Sequence, residues 1–472
     1  MNYMKFAISK KQHWPLTLRN LMYAYDWVHI LLTNFLGIFF KNFRYAFIYT
    51  IVFLTWCNSA WSLSPTNERV IETNFIALKI KTFSLETKSL VIGASYSDNV
   101  VFVATREGNT ISKLALNNNQ LSRTKVVNIE KNTNQHRGIT VSEMISSLVN
   151  GEDKSVDVPT EEYKTIILDI HVSGSFVYVS SVFYHEDPKK CSVVSIYEYD
   201  LDLNFSRRIF DSTPCIGGVG AYTEIAGRIA SSDKKIYMTG GNIFLDLYRN
   251  RYPRANLCCF ENKDYPQILE TTNLFGSVIE IDKKTLNNSK LSLGHRSPQG
   301  LAFDPIREVL FQTEHGPRGG DELNIITRGK HYGWPWVSLG RVYKEKHSSP
   351  DGNKLNPTPR YNTHMGYEAP IFSWTPSIGI SQLVVLSENC SLCEFWANDL
   401  LVSSLKDKSI NRVKIRADNR VIYSERILIG ERIRDIEISS DYLFVSTDNG
   451  KIFVITPLPP SKEGPFPIPD QK

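Results

Sequence analysis

The chain has 472 residues, 42% of them hydrophobic and 22% charged, with a formal net charge of +5 at pH 7. It is too long for one ordinary core, yet no linker divides it, which favours a repetitive architecture in a single body. The charge excess sits in residues 1–45, where Lys5, Lys10, Lys11, Arg19, Lys41 and Arg44 oppose Asp26; the rest is neutral and argues against a nucleic-acid surface.

The extension comes first. Residues 45–56 (YAFIYTIVFLTW) form a short apolar run behind Lys41 and Arg44, followed by the small residues Ser59, Ala60 and Ser62. A basic flank, an apolar run and an Ala60-Trp61-Ser62 site are the layout of a secretory signal peptide, and the run is short for a membrane span. HILLTNFLGIFF at 29–40 is also apolar, so a retained anchor and a start placed too far upstream stand beside cleavage as readings. Residues 1–62 are read as an N-terminal extension with a signal peptide or membrane anchor. Residues 63–472 are read as the folded body, exported to a periplasm or secreted.

Past Cys57 the chain keeps Cys191, Cys215, Cys258, Cys259, Cys390 and Cys393. An even number in an exported chain permits three disulfides, in fifteen pairings. Cys390 with Cys393 and Cys191 with Cys215 are the first pairings to expect. Zinc is the rival for the Cys-x-x-Cys spacing, but no second pair or nearby histidines support it.

From residue 98 one pattern returns six times: a turn, an apolar strand ending in small or hydroxyl residues, a polar turn, and a second apolar strand. The copies are 98–116, 174–183 with 192–200, 233–241 with 276–282, 307–316 with 322–327, 398–415, and 440–455. Six antiparallel units that cannot bury both faces alone predict an all-β fold, a six-bladed β-propeller. Insertions at about 118–165, 243–275 and 330–370 are then long top-face loops, where ligands bind.

The densest stretch, GHRSPQGLAFDPIREVLFQTEHGPRGGDELNIITRGKHYGWP, begins at Gly294. Leu301, Phe303, Val309, Phe311 and Leu323 give the alternating apolar face of a half-buried sheet. Gly316-Pro317 and Gly319-Gly320 interrupt it with backbone that turns sharply and presents carbonyl oxygens, the hard donors calcium takes.

This stretch resembles the signature of the glucose/sorbosone dehydrogenase family, soluble quinoproteins that bind pyrroloquinoline quinone (PQQ). PIFSWTPSIGISQ at 370–382, LLVSSLK ending at Lys406, and IGERIRDI at 429–436 follow in the family's order, so the resemblance covers roughly 87–457. It implies a propeller that uses PQQ and Ca2+, an aldose or related alcohol as substrate, and an external electron acceptor. It also implies that Arg296, Lys406, Arg432 and Arg434 supply cations to the PQQ carboxylates, which guanidinium forks bind bidentately. Gln299 matches the polar partner that follows the first Arg, and Ser377 the hydroxyl beside the cofactor. Gly316 and Pro317 would offer main-chain oxygens to a calcium at the quinone. Glu322 and Tyr332 match positions that hold a second, structural calcium, with Asp321 a carboxylate behind the ligands.

The chain departs from the family where protons and substrate are handled. The usual base is a His four residues before the Arg of a Gly-Arg-Leu/Ile segment. Here that segment is Gly227-Arg228-Ile229 and the position holds Glu224, a substituted candidate base if its pKa is raised toward neutrality. Ser297 replaces an Asn, Asn242 an Asp, and Lys164 a Gln that normally sits near substrate. The resemblance, with the secretory layout of the extension, thus implies an exported PQQ- and calcium-dependent dehydrogenase. The alternative is an impaired propeller that binds PQQ, a sugar or a protein without turnover, with Lys164 and Glu224 paired.

Overall fold

The computed structural model describes residues 62–129, 165–185, 191–213, 216–217, 225–241, 273–341, 360–386 and 389–458. They form six antiparallel sheets arranged as blades around a central axis. The innermost strands are β1 (Leu90–Ala94), β2 (Ile166–Ser173), β3 (Ala226–Ser231), β4 (Pro298–Asp304), β5 (Ile380–Val385) and β6 (Ile433–Ile438). Each touches the next, and β6 touches β1, so the ring is closed. The recurrent sequence unit supplies the second and third strand of every blade, as with Val100–Thr105 and Thr110–Asn117 in blade 1 or Leu400–Ser404 and Ser409–Ile415 in blade 5.

Closure uses both ends of the described chain. Blade 6 takes β6, Leu443–Thr447 and Lys451–Leu458 from the C-terminal side, then adds Ala77–Ser84 and Asn67–Glu72 from the N-terminal side. Ala77–Ser84 pairs antiparallel with Lys451–Leu458 along its whole length. Leu78, Ile80 and Phe83 are buried there beside Phe453 and Ile455.

One expected loop is partly a strand. Within 118–165, residues Gln120–Asn128 form the fourth strand of blade 1, with Ser62–Leu63 paired outside it. Asn118 and Asn119 both adopt positive φ, 47° and 63°, which is the two-residue turn that matches strand twist in a tight hairpin. Within 330–370, Val337–Ser338 pairs in parallel with Arg360–Tyr361, a small ribbon rather than an unstructured loop. Residues 130–164, 242–272 and 342–359 lie outside the described residues.

Apolar side chains fill the seams between blades. Ile166, Ile196, Ile236 and Ile279 belong to one cluster, and Leu323, Leu383, Val402 and Val413 to another. The small hydroxyls that end the second strands have a separate job. Ser180 donates to the Gly227 carbonyl (2.5 Å), Thr313 to that of Ser381 (2.9 Å) and Ser446 to that of Leu90 (2.7 Å). Each bond crosses from one blade to the next. Inner strands do not share a hydrogen-bond ladder, so side chains satisfy their edge groups instead.

The largest such crosslink is ionic. Arg228 of β3, buried, reaches Asp169 of β2 at 2.8 Å and Asp435 of β6 at 3.0 Å. The second oxygen of Asp169 accepts the Ile229 N–H (2.7 Å), and Asp435 accepts that of Ile92 on β1 (3.2 Å). One guanidinium therefore ties β3 to β2 and β6, and its two carboxylates extend the tie to β1. Burial pushes Asp435 up to about 7, with the neighbouring Asp169 adding to the rise against the pull of Arg228. Glu437, half-buried beside them, is raised by burial and by the same two acids.

Cys390 and Cys393 form a disulfide at the start of α1 (Cys393–Trp396). The Cys191–Cys215 pairing falls on side chains outside the described residues. Near α1, buried Arg412 bonds Asp399 at 2.6 Å and lies 4.9 Å from the Trp396 ring centre and 4.6 Å from that of Phe75. This cation fastens the N-terminal segment to blade 5.

Ile80→Ala removes a fully buried side chain from the closure strand and is expected to cost about 2–5 kcal/mol in denaturant unfolding. A cost below about 1 kcal/mol would contradict a closed ring. Asp435 holds its proton to about 7 when folded, whereas an unfolded Asp releases it near 3.9. Its stabilising contribution is complete at low pH and is lost as pH rises through about 7. The melting temperature should therefore rise from pH 8 to pH 6, and Asp435→Asn should flatten that slope. An equal slope in both proteins would contradict the assignment.

Candidate active site

Turns that lead into the inner strands and turns that join second to third strands share one rim, because successive strands run antiparallel. On this rim Arg296 precedes β4, Ser377 precedes β5 and Arg432 precedes β6. His315–Gly320 and Leu405–Lys408 join the middle strands of blades 4 and 5, and Asp448–Gly450 those of blade 6.

In blade 4, Arg296 donates its Nη1 to the His315 carbonyl (3.2 Å) and its main-chain N–H to Glu314 (3.2 Å), and its guanidinium lies 5.3 Å from the Trp334 ring centre. Arg296, Glu314, His315, Gly316, Glu322, Tyr332, Trp334 and His364 are among the residues that line a pocket. Glu314 and Glu322 lie directly opposite each other on paired strands. His364 bonds Glu322 at 2.9 Å, and His295 lies 3.4 Å from Glu314 and stacks on Tyr332. Burial raises Glu322 to about 7, helped by the Glu314 charge. Glu314 stays low although burial opposes it, because His295 supports its charge.

Tyr332 turns its hydroxyl away from the pocket: it donates to the Ile325 carbonyl and accepts the Thr327 N–H at 2.9 Å. A metal contact from Tyr332 would have to come from its main-chain oxygen. Gln299 is buried and donates to Ser297 at 3.1 Å, so the Ser that replaces the usual Asn serves as an acceptor for its neighbour.

Asp321 latches blade 4 to blade 5. One oxygen accepts the Gly316 N–H (3.2 Å); the other accepts the Ser377 hydroxyl (2.7 Å) and the Gly379 and Ile380 N–H groups (2.8 and 3.3 Å). Its acidity is held up by His315 and these donors against burial. The Ser377 hydroxyl is thus committed to Asp321 as a donor. A side chain on Gly316 would collide with the Gly319 and Gly320 carbonyl oxygens, which is why this turn takes glycine. Gly379 has φ +64°, and a Cβ there would lie 2.9 Å from that of Lys406. The two loops touch, and Lys406, exposed, stands on the second.

Blade 6 continues the arc. Arg432 reaches the Leu405 carbonyl at 3.5 Å, and both Arg432 and Arg434 meet Asp448, at 2.8 and 2.7 Å. Glu431 pairs with Lys451, and Asp435 with Arg228, so neither is the partner of these two cations. The sequence-predicted cations Arg296, Lys406, Arg432 and Arg434 therefore lie on one connected run of loops across blades 4 to 6.

Glu224, Lys164 and Asn242 lie outside the described residues. Sequence reading missed Asp448, Glu314, His364 and Trp334. Glu314 had a signal, since counting back through the hairpin places it opposite Glu322. His364 arrives from a distant loop and had none. Among the described residues no group of three or more His, Cys, Asp or Glu side chains is placed to hold a metal ion. Among the described residues no main-chain N–H donates to the carbonyl of Gly316 or Pro317.

A family model described as Glucose / Sorbosone dehydrogenase matches residues 167–454, starting later than the sequence resemblance had it. The aldose sugar dehydrogenase YliI of Escherichia coli is 36% identical over 174 residues, 35% of this chain and 43% of that protein. The quinoprotein glucose dehydrogenase B of Acinetobacter calcoaceticus is 26% identical over 344 residues, 58% of this chain and 70% of that one. An uncharacterized Synechocystis protein is 35% identical over 34% of this chain and 37% of its own length, so the alignments span under half of this relative and of the E. coli one. The apo crystal structure of the soluble E. coli aldose sugar dehydrogenase superposes with a TM-score of 0.53 at 21% identity, over 80% of this chain and 99% of that one. The matched segment takes in blades 2 to 5 and most of blade 6, and the chain belongs to the glucose/sorbosone dehydrogenase family.

Proposed function

We propose that this protein is an exported oxidoreductase that oxidises an aldose or related alcohol, using PQQ and calcium and passing electrons to an external acceptor. The observation that carries the reading is the single rim arc joining Arg296, Lys406, Arg432 and Arg434 to the Gly316-Pro317 turn. Membership of a family described by glucose and sorbosone dehydrogenases supports the reaction class. The name of the Acinetobacter quinoprotein supports the cofactor. The N-terminal extension, residues 1–62, is proposed to direct export or to hold the body at a membrane; among the described residues no helix is long and apolar enough to cross one.

The donor set fits an anionic quinone and a hard cation. Guanidinium and ammonium groups on the arc would bind the carboxylates of PQQ, with Gln299 and Ser377 nearby. The Gly316 and Pro317 carbonyls would hold calcium, and Glu322 with the Tyr332 main chain a second ion. Bound there, PQQ would supply the two-electron acceptor and calcium the polarisation of its carbonyl. Arg296 is held by the His315 carbonyl and by Trp334, so it meets a ligand without reorganising. Asp321 keeps the blade 4 turn and the Ser377 loop in fixed relation. Glu224 is proposed to take the substrate hydroxyl proton, in the position where the family has His.

A second reading has its own motive in Glu224 and Lys164, which replace the usual His and Gln. In that reading the propeller binds PQQ, a sugar or a protein without turnover.

With the purified full chain, PQQ and calcium should produce a bound-cofactor absorbance, and dye should be reduced with at least one aldose. Arg434→Gln should weaken PQQ binding by about 10–100-fold, the value of a charge-assisted contact. Absence of any PQQ binding would sink the cofactor assignment; binding without dye reduction would favour the second reading. Glu224→Gln should lower turnover by about 10²–10⁴ while PQQ stays bound. An unchanged rate would dismiss Glu224 as the base.

A further inference from the structure

The seam between blades 6 and 1 holds a cation that the site described so far does not use. Arg106 sits in the turn joining Val100–Thr105 to Thr110–Asn117, on the same rim. Its main-chain N–H donates to the Ser89 carbonyl (2.9 Å) and its own carbonyl accepts the Ile167 N–H (2.9 Å). The Ser89 N–H in turn donates to the Asp448 carbonyl (3.0 Å), and the Asp448 N–H to that of Arg432 (3.0 Å). Ser89 is a non-glycine residue at φ +51°, and both of its peptide groups serve this bridge. Arg106, Ser89, Asp448 and Arg432 thus form one hydrogen-bonded backbone path across the seam.

The side chains gather on the same spot. Asp448 uses both oxygens, one for Arg432 Nε (2.8 Å) and one for Arg434 Nε (2.9 Å) and Nη2 (2.7 Å). Arg228 lies beneath and donates to the Arg434 carbonyl at 3.1 Å. Arg106 is within electrostatic range of Arg434, Arg228 and Asp448.

We propose that Arg106 is a further ligand-binding residue, joining Arg432 and Arg434 around Asp448 in an anion subsite that takes a carboxylate of a polycarboxylate ligand. The subsite rests on the reading of the rim as a PQQ site and extends it into blade 1, which lies outside the matched family segment. Like charges crowded together destabilise one another unless a further anion joins them. Burial first, then the charges of Arg434 and Arg228, pull Arg106 down to about 10, while Asp448 and Glu107 pull it back up. Asp448 aims the guanidiniums and keeps the seam together before the ligand arrives.

The test titrates PQQ into the full chain with calcium, followed by absorbance, at low and high salt. Arg106→Gln should weaken binding by about tenfold or more and reduce its salt dependence, without a matching loss for Gln at the exposed Arg123 of the same blade. Arg106→Lys, which keeps the charge and loses the fork, should bind with intermediate affinity and near wild-type salt dependence; it also serves if the Gln variant unfolds. Equal affinity and salt dependence in wild type and in either Arg106 variant would overturn the subsite while leaving the PQQ reading intact. Failure of the wild type to bind PQQ would overturn both.

Discussion

The Arg228 guanidinium, set among the innermost strands, is the constraint on which the ring depends. Inner strands of a propeller converge without sharing a ladder, so their inward polar groups need partners from across the axis. Arg228 answers two carboxylates, from β2 and β6, and those carboxylates answer backbone donors on β3 and β1. The geometry is costly alone, since one guanidinium faces more acid than it can neutralise, and burial raises Asp435 and Glu437 in response. Its return is specificity: a slip of one strand would leave charges unmatched at the centre.

The rim inherits its precision from that centre. Arg434 is adjacent in sequence to Asp435, so the group that locks β6 to the axis also sets where a rim cation stands. Arg228 touches the Arg434 carbonyl directly. On the other side of the mouth Asp321 does similar work, gathering the Gly316 turn and the Ser377 loop on one carboxylate. Cations placed by such fixed anchors can meet a charged ligand with little reorganisation, the condition under which electrostatic recognition is strongest. The altered positions, Glu224 and Lys164, fall instead on chain segments next to substrate in the family's pattern. The rim cations and the altered positions therefore lie on separate parts of the chain.

Much of this was legible beforehand. The hairpin unit recurs because each blade must bury two faces, and in blades 2, 4 and 6 a Ser or Thr of its first strand staples to the next blade. The apolar alternation from Leu301 to Leu323 predicted the sheet that carries the site. Other features were hidden by distance along the chain. Asp448 lies in the last hairpin and Arg106 in the first, and only circular closure makes them neighbours. His364 reaches Glu322 from within the 330–370 insertion, where no periodicity places a side chain. Gln120–Asn128 was misread as loop because its outward residues are polar, although the Asn118-Asn119 turn announced a hairpin.

By itself the sequence determined what is local: strand periodicity, the turn chemistry of Gly316, and which residue types could hold an anion; it also offered Cys390 with Cys393 as a first pairing. Tertiary structure decided how those groups pair. It set Arg432 and Arg434 on Asp448 rather than on Glu431 or Asp435, turned the Tyr332 hydroxyl inward, and brought the two ends of the body together in blade 6. The reason is that alternation and propensity act over a few residues, whereas charge pairing inside a closed ring is set by contacts between strands hundreds of residues apart.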